Sequence, residues 1–439
     1  MGSRLSAPGP QQKRFAAYID GLAKAAGHSD REIPLKNYCM GLLLPGERKS
    51  VEPMAARLAP KNIRQMHQSL HHLVADAPWD DELLLEQVRS KVLPSMQKSG
   101  PVVAWIIDDT GFPKKGKHSV GVARQYCGQV GKQENCRVAV SLSVSTWNWS
   151  LPIAWRLYLP DAWASDVGRK SKAGVPEKIE FQTKPQIALQ QIRQAVENQV
   201  PTGVVLADAG YGVDTKFRTG VDKLGLQYVM GIQSSVTVWA PGQQPLPAKS
   251  RKAIGRPPKL LQRDTDHRPV SVKQLALGLP SSALKDIRWR EGTQRSLRSR
   301  FAAVRVRVAH RDYERAEPHP EQWLLLEWPR GASEPAKYWL STLPPATKLK
   351  DLVKIAKHRW IIERDYEELK QELGLGHYEG RGWRGFHHHA TLCIAAYGFL
   401  IAERTLFFPS AHVGNVGLSA PKRPSNFRPR GSPHSTRAA

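Results

Sequence analysis

Lys357 to Arg381 reads KHRWIIERDYEELKQELGLGHYEGR, and the chemistry of this 439-residue chain is organised around it. Apolar residues recur at Ile355, Ile362, Tyr366, Leu369 and Leu373 with helical period. Gly374 and Gly376 mark the end of the predicted helix. At about 100° per residue, Arg359, Glu363, Glu367 and Lys370 fall within about 40° of one direction, beside the apolar stripe. A carboxylate placed there can stand at the edge of a packed sheet, between two cations. An amphipathic surface helix with ion pairs three and four residues apart has the same pattern, and the helix alone does not choose.

Two other stretches bring acids to the ends of strands. VVAWIIDD, from Val102, is a continuous apolar run of β type that ends in Asp108 and Asp109. It suits a buried strand, where acids are costly unless paired or bound to metal. TGVVLADAGYG holds a short β run closed by Asp208 and a glycine-rich turn. The helical TKFRTGVDKLG and the strand-like LQYVMGI follow, an α/β order with the acid at the carboxyl end of a strand. The candidate set is therefore Asp109 (or its neighbour Asp108), Asp208 and Glu363. Gathered carboxylates repel one another unless a divalent metal neutralises them. Mg²⁺ takes one or two carboxylates plus water and phosphate oxygens. Two such ions can activate an attacking oxygen and stabilise a leaving one.

The elements that must position these acids follow from the texture of the chain. Residues 1–98 read as helical, with Phe15, Tyr18, Ile19 and Leu22 in one stripe and Met66, Leu70, Leu73 and Val74 in another. His67 and His71 are four apart, a metal-binding spacing, but no carboxylate motif accompanies them and solvent-facing histidines are the stronger reading. After the first acid-bearing strand come turn signals at Gly111, Pro113, Gly116, Gly128 and Gly131, which suit an antiparallel meander. Lys114, Lys115 and Lys117 fit a phosphate contact or a solvated loop equally well. KPQIALQQIRQAVENQ has a helical pattern. From Ser234 to Pro344 the texture is β-rich, and Val304, Val306 and Val308 alternate with Arg305 and Arg307 as in a half-exposed strand with a basic face. HHHATLCIAAYGFLIAERTLF reads as a core helix.

Lys and Arg number 65 against 39 Asp and Glu, a net charge of +26. That surplus points to a polyanionic partner. No apolar run approaches a membrane span, and the first residues lack a signal-peptide core. Cys39, Cys127, Cys136 and Cys393 form no C-x-x-C pair, which argues against zinc and a disulfide framework and fits a reducing cytosol.

IIDDTGFPKKGKHSVGVARQYCGQVG, VLADAGYG and RWIIERDYEELKQELGLGHYEGR closely resemble the DDE transposases of bacterial insertion sequences, in the group with a Tyr-Arg-Glu-Lys signature. The resemblance runs from about Pro101 to about Leu406. It implies an α/β fold, an RNase H-like mixed sheet with flanking helices interrupted by a β-rich insertion. The resemblance divides the core into a first part (99–233), the insertion (234–344) and a second part (345–410); the texture of the chain adds a helical domain (1–98), given DNA contact on charge grounds, and a basic disordered tail (411–439). The resemblance also implies cutting at element ends and strand transfer, dependent on Mg²⁺ with Mn²⁺ as a substitute. Double-stranded DNA, as terminal inverted repeats and target, would be the partner. A homodimer would form in the synaptic complex, in the bacterial cytoplasm at the nucleoid. Asp109 matches the family's first acid because that aspartate directly precedes the threonine. Asp208 and Glu363 match the second and third, all three as metal ligands. Arg359 and Lys370 match the DNA-binding arginine and lysine. Ala356 stands where the signature tyrosine is expected. Trp289, Trp323 and Trp339 are candidates for stacking on an unpaired base, with core packing the stronger reading for at least two. The rival readings are a nuclease that cuts without joining and a catalytically inactive terminal-repeat binding protein.

Overall fold

A computed structural model describes residues 9–248, 259–290 and 296–407. The basic tail, residues 255–258 of the GRPPK stretch and residues 291–295 lie outside the described residues. The chain begins with five helices, α1 (Pro10–Ala23), α2 (Glu32–Leu43), α3 (Val51–Leu58), α4 (Ile63–His71) and α5 (Asp81–Lys98). The Asp80 side chain caps α5 by accepting from the Glu82 and Leu83 amides. Tyr18, Ile19 and Leu22 are buried, while His71 and His72 are exposed beside Asp76.

The meander follows as β1 (Ala104–Pro113), β2 (Ala123–Cys127), β3 (Lys132–Ser145) and β4 (Ser150–Leu157). Two short helices, α6 (Asp161–Ala164) and α7 (Val167–Lys172), lead to α8 (Lys184–Glu197). Then come β5 (Val204–Ala207), α9 (Ala209–Gly212), α10 (Thr215–Lys223) and β6 (Tyr228–Ile232). Strands β4, β3, β1, β5 and β6 lie side by side, with β1, β5 and β6 mutually parallel and β3 antiparallel to its neighbours. This is the mixed α/β sheet of the RNase H type.

Strands β7 (Thr237–Trp239) and β8 (Val270–Ser271), helix α11 (Val272–Leu277), and strands β9 (Lys285–Arg290), β10 (Leu297–Val308), β11 (Glu321–Trp328) and β12 (Lys337–Ser341) complete the sheet. They extend it rather than forming a separate one. β12 pairs antiparallel with β6, and the order continues β12, β11, β10, β7, β8, with β9 also on β10. The chain then returns through α12 (Leu349–His358) and α13 (Ile361–Glu367), and the described residues end with α14 (Trp383–Phe407).

Three features differ from the sequence reading. The acids of VVAWIIDD do not end their strand, because β1 continues to Pro113 along β3. It is the pairing with β5 that stops, at Ile106 opposite Leu206. The helix expected as one piece over Lys357 to Leu373 is broken at Arg359 and Trp360, and its last turn, Glu368–Glu372, is a π turn. Finally, α14 is apolar and long enough to cross a membrane by composition, although no apolar run was expected to be. Yet it is mostly buried, packed against α5, α2 and β4. Tyr18 donates to the Ala395 carbonyl at 2.9 Å, and the Tyr38 hydroxyl meets His389 Nδ1 at 2.8 Å. These contacts tie the N-terminal helices to the far end of the chain.

Candidate active site

Strand alternation decides which acids meet. Successive side chains on a strand point to opposite faces, so Ala104, Ile106 and Asp108 share one face of β1 and Trp105, Ile107 and Asp109 the other. The first face is the one covered by α12 and α13: Ala104, Ile106, Leu206 and Val229 pack with Leu352, Val353, Ile361 and Ile362. The second belongs to the larger core, with Trp105, Ile107, Val205, Ile187 and Ile192. Asp208 follows Leu206 by two residues, in step with Asp108 following Ile106 across the parallel register.

Asp108 accordingly faces the helices. Its Oδ2 lies 2.9 Å from Arg359 Nη1. Burial pushes the Asp108 carboxyl up to about 6; Arg359 opposes the shift, and Asp208 and Asp109 add to it. Arg359 in turn is held charged by Asp108, Asp208 and Glu363 against the cost of burial. Four groups from β1, β5 and the α12–α13 break thus act on one another.

Asp208 is the N-cap of α9. Its Oδ1 accepts from the Gly210 amide at 2.9 Å and the Tyr211 amide at 3.4 Å. An N-cap at a strand end fixes a carboxylate without a side-chain partner. Glu363 is exposed in the first turn of α13. Asp208, Arg359 and Glu363 line one pocket of 470 Å³, together with Trp289, Arg290, Trp339 and Trp360. The azimuth of α13 is set by three tethers. Asp365, fully buried, accepts from the Ser150 hydroxyl and from the Tyr397 hydroxyl, the latter at 2.8 Å. The Tyr366 and Ser141 hydroxyls meet at 2.6 Å, and Arg364 donates to the Asn148 carbonyl at 3.1 Å.

The other expected site residues lie to the side. Asp109 pairs with Lys184 Nζ at 2.8 Å, and the Tyr211 hydroxyl donates to it at 3.4 Å. Lys370 donates to the Gly111 carbonyl at 2.9 Å and to Gln129 at 3.1 Å, and burial lowers it to about 8. It braces the far half of β1. Trp289 and Trp339 border the pocket, while Trp323 donates its indole N–H to the Pro344 carbonyl outside it. Cys39, Cys127, Cys136 and Cys393 are buried free thiols.

Among the described residues no three His, Cys, Asp or Glu side chains stand close enough to hold a metal ion. The donor chemistry of Asp108, Asp208 and Glu363 nevertheless fits a hard divalent cation, being all carboxylate oxygen. The Arg359 guanidinium stands among them, paired with Asp108 and in electrostatic reach of Asp208 and Glu363.

A family model described as DDE superfamily endonuclease matches residues 21–296. The chain belongs to this family. A probable transposase for insertion sequence element IS701 from Microchaete diplosiphon is 31% identical over 197 residues, which make up 45% of this chain and 47% of that relative. The chain thus spans about half the length of the curated relative it matches. The family match covers Asp108, Asp109 and Asp208 and stops before Glu363.

For this DDE-family chain, sequence reasoning did not single out Lys184 or Arg290, and read Tyr366 only as part of an apolar stripe. The parity of Ile106 and Asp108 was a usable signal for which aspartate shares a face with Asp208, because Leu206 and Asp208 repeat it. Arg290 carried no signal, since only the fold brings β9 beside Glu363.

Proposed function

We propose that this chain is a transposase that cuts DNA at insertion-sequence ends and joins the freed 3′-hydroxyl to target DNA. The observation that carries the reading is that Asp108, Asp208 and Glu363, from the end of the β1–β5 pairing and from α13, all act on the one cation Arg359. Membership of the DDE endonuclease family and the likeness to a probable transposase support it. The net charge of +26 supports a DNA partner.

Asp208, Glu363 and one member of the Asp108–Asp109 pair would hold divalent metal, Mg²⁺ with Mn²⁺ as a substitute. Geometry favours Asp108; the family pattern favours Asp109. When bound, the metal supplies Lewis-acid stabilisation of the phosphodiester and lowers the pKa of an attacking water. The chain's own groups do the rest. Asp208, its Oδ1 pinned by two amides, lines the pocket. Glu363 rides on a helix whose rotation is fixed by Asp365 and Tyr366. Arg359 exchanges Asp108 for a phosphate oxygen, a partner its planar fork suits. Water forms a bond to phosphorus as the P–O3′ bond breaks, leaving a 3′-hydroxyl. That hydroxyl then attacks a target phosphodiester in the same way. Lys370 would hold the strand beyond β1, and a homodimer would bring two ends together.

The test uses a duplex carrying the ends that flank the gene, with Mg²⁺, scored for nicking and for joining. Asp108→Asn, Asp208→Asn and Glu363→Gln are each expected to lower cutting by about a hundredfold or more while DNA binding persists, and their losses should not add because the three act as one unit. Asp109→Asn is expected to keep more activity than Asp108→Asn. Glu367→Gln, an exposed acid one turn further along α13, should cut normally. Wild-type cutting by Glu363→Gln would sink the reading. Asp109→Asn falling below Asp108→Asn would move the first ligand to Asp109.

A further inference from the structure

Arg290 ends β9, in the β-rich segment that extends the sheet, and its guanidinium carbon lies 3.5 Å from the centroid of the Trp360 ring. Trp360 is the residue at the α12–α13 break, between Arg359 and Ile361. The arginine therefore reaches across from the added strands to the helix junction that carries the candidate site. It lines the same pocket as Asp208 and Glu363, and it is in electrostatic reach of Glu363 and Arg364. Among the described residues it makes no ion pair and no side-chain hydrogen bond, whereas nearby cations are engaged: Lys357 with Glu327 at 2.5 Å, and Arg359 with Asp108. An exposed guanidinium centred over an indole ring keeps its N–H donors available. Held this way it loses little rotamer freedom on binding. A planar fork with free donors, beside carboxylates that would gather metal, fits a phosphodiester oxygen pair.

Resting on the transposase reading, we propose that Arg290, stacked on Trp360, is a phosphate-binding residue that grips the DNA strand entering the carboxylate pocket. The β-rich segment then contributes to the site directly, and Trp360 acts as the platform that orients the fork. The alternative, an exposed arginine that merely covers Trp360, predicts no change in DNA binding when the charge is removed.

The experiment measures binding of a short labelled duplex with a single-stranded 3′ flank over a series of salt concentrations, together with cutting of the gene-flanking ends. Arg290→Met keeps the aliphatic cover of Trp360 and removes the fork. It is expected to bind about tenfold more weakly at low salt and to shift the salt slope by about one ion, with an unchanged melting temperature. Arg290→Lys keeps the charge and loses the planar stack. It should retain the slope while recovering only part of the cutting rate. If wild type binds and cuts but Arg290→Met matches it in affinity and slope, this inference is overturned and the transposase reading stands. If wild type neither binds nor cuts, both are overturned.

Discussion

A buried carboxyl two residues beyond Glu363 shows how single groups fix this site. Asp365 is wholly buried, and burial pushes its carboxyl up to about 7 despite the Ser150 and Tyr397 hydroxyls that oppose the shift. An unfolded aspartate titrates near 3.9, roughly its model-peptide value. Between those two values the folded chain holds a proton that the unfolded chain has released, so stability falls as pH rises. The contribution is complete below the unfolded value and is lost as pH passes through about 7. Asp365→Asn is a neutral isostere that keeps both hydrogen bonds when one hydroxyl turns to accept from its amide. It is expected to melt near the wild-type temperature at about pH 4 and several degrees above it at about pH 8. A difference that stays constant across thermal melts at the two extremes would contradict the shift. At this scale the sequence was partly legible. That Asp208 and Glu363 line one pocket could be anticipated from their positions, at a strand end and on a helix face. Which of Asp108 and Asp109 shares a face with Asp208 needed the register with β5. Asp365, inside the same helix, gave no sign that it is a buried anchor.

The elements were easier to read than their ends. Apolar periodicity marks α8, α14 and the strands correctly because burial on one face or on both leaves a plain signature. It did not show the break after α12, since Arg359 and Trp360 suit a helix as well as a junction. The break matters because it turns Arg359 toward Asp108 while Glu363 faces the pocket. The π turn that follows carries Lys370 toward β1, and Gly374 closes it with φ +69°, a conformation that a side chain there would strain. The short α9 is equally constrained. A Cβ on Gly212 would collide with the Gly231 carbonyl of β6, so α9 lies directly on that strand. Since Asp208 caps α9, the packing of α9 also places the carboxylate. Gly212→Ala is expected to cost about 1–3 kcal/mol of stability, and to reduce cutting more than DNA binding. Urea unfolding and the end-cutting assay check both parts. Unchanged cutting with lowered stability would separate α9 from the site.

At the scale of the molecule, one sheet joins the RNase H-like strands to the β-rich segment through β6 and β12. Composition foresaw a β-rich insertion but not this continuity, because edge pairing between segments a hundred residues apart leaves no local pattern. Besides apolar packing and the Arg290–Trp360 contact, a buried ion pair links the added strands to the helices of the site. Lys357 of α12 and Glu327 of β11 meet at 2.5 Å, with side chains only 14% and 8% exposed. The ammonium lies 4.5 Å from the Trp289 ring centroid, with Phe301 and Trp339 also around it. Desolvating two charges offsets much of their attraction, so such a pair adds little net stability, yet removing one partner strands the other. Its contribution here is to hold α12 at one place on the strands, two residues before Arg359. Lys357→Met and Glu327→Leu alone are each expected to lose about 3 kcal/mol. The double variant should regain most of that loss, because methionine and leucine fill the aromatic-walled space. Cutting should not return with stability, since apolar packing fixes no register between α12 and β11. A double-mutant cycle run in parallel by urea unfolding and by end cutting reads the two quantities separately. Recovery of both together would mean that the pair only fills space, and that the sheet holds the helix junction without it.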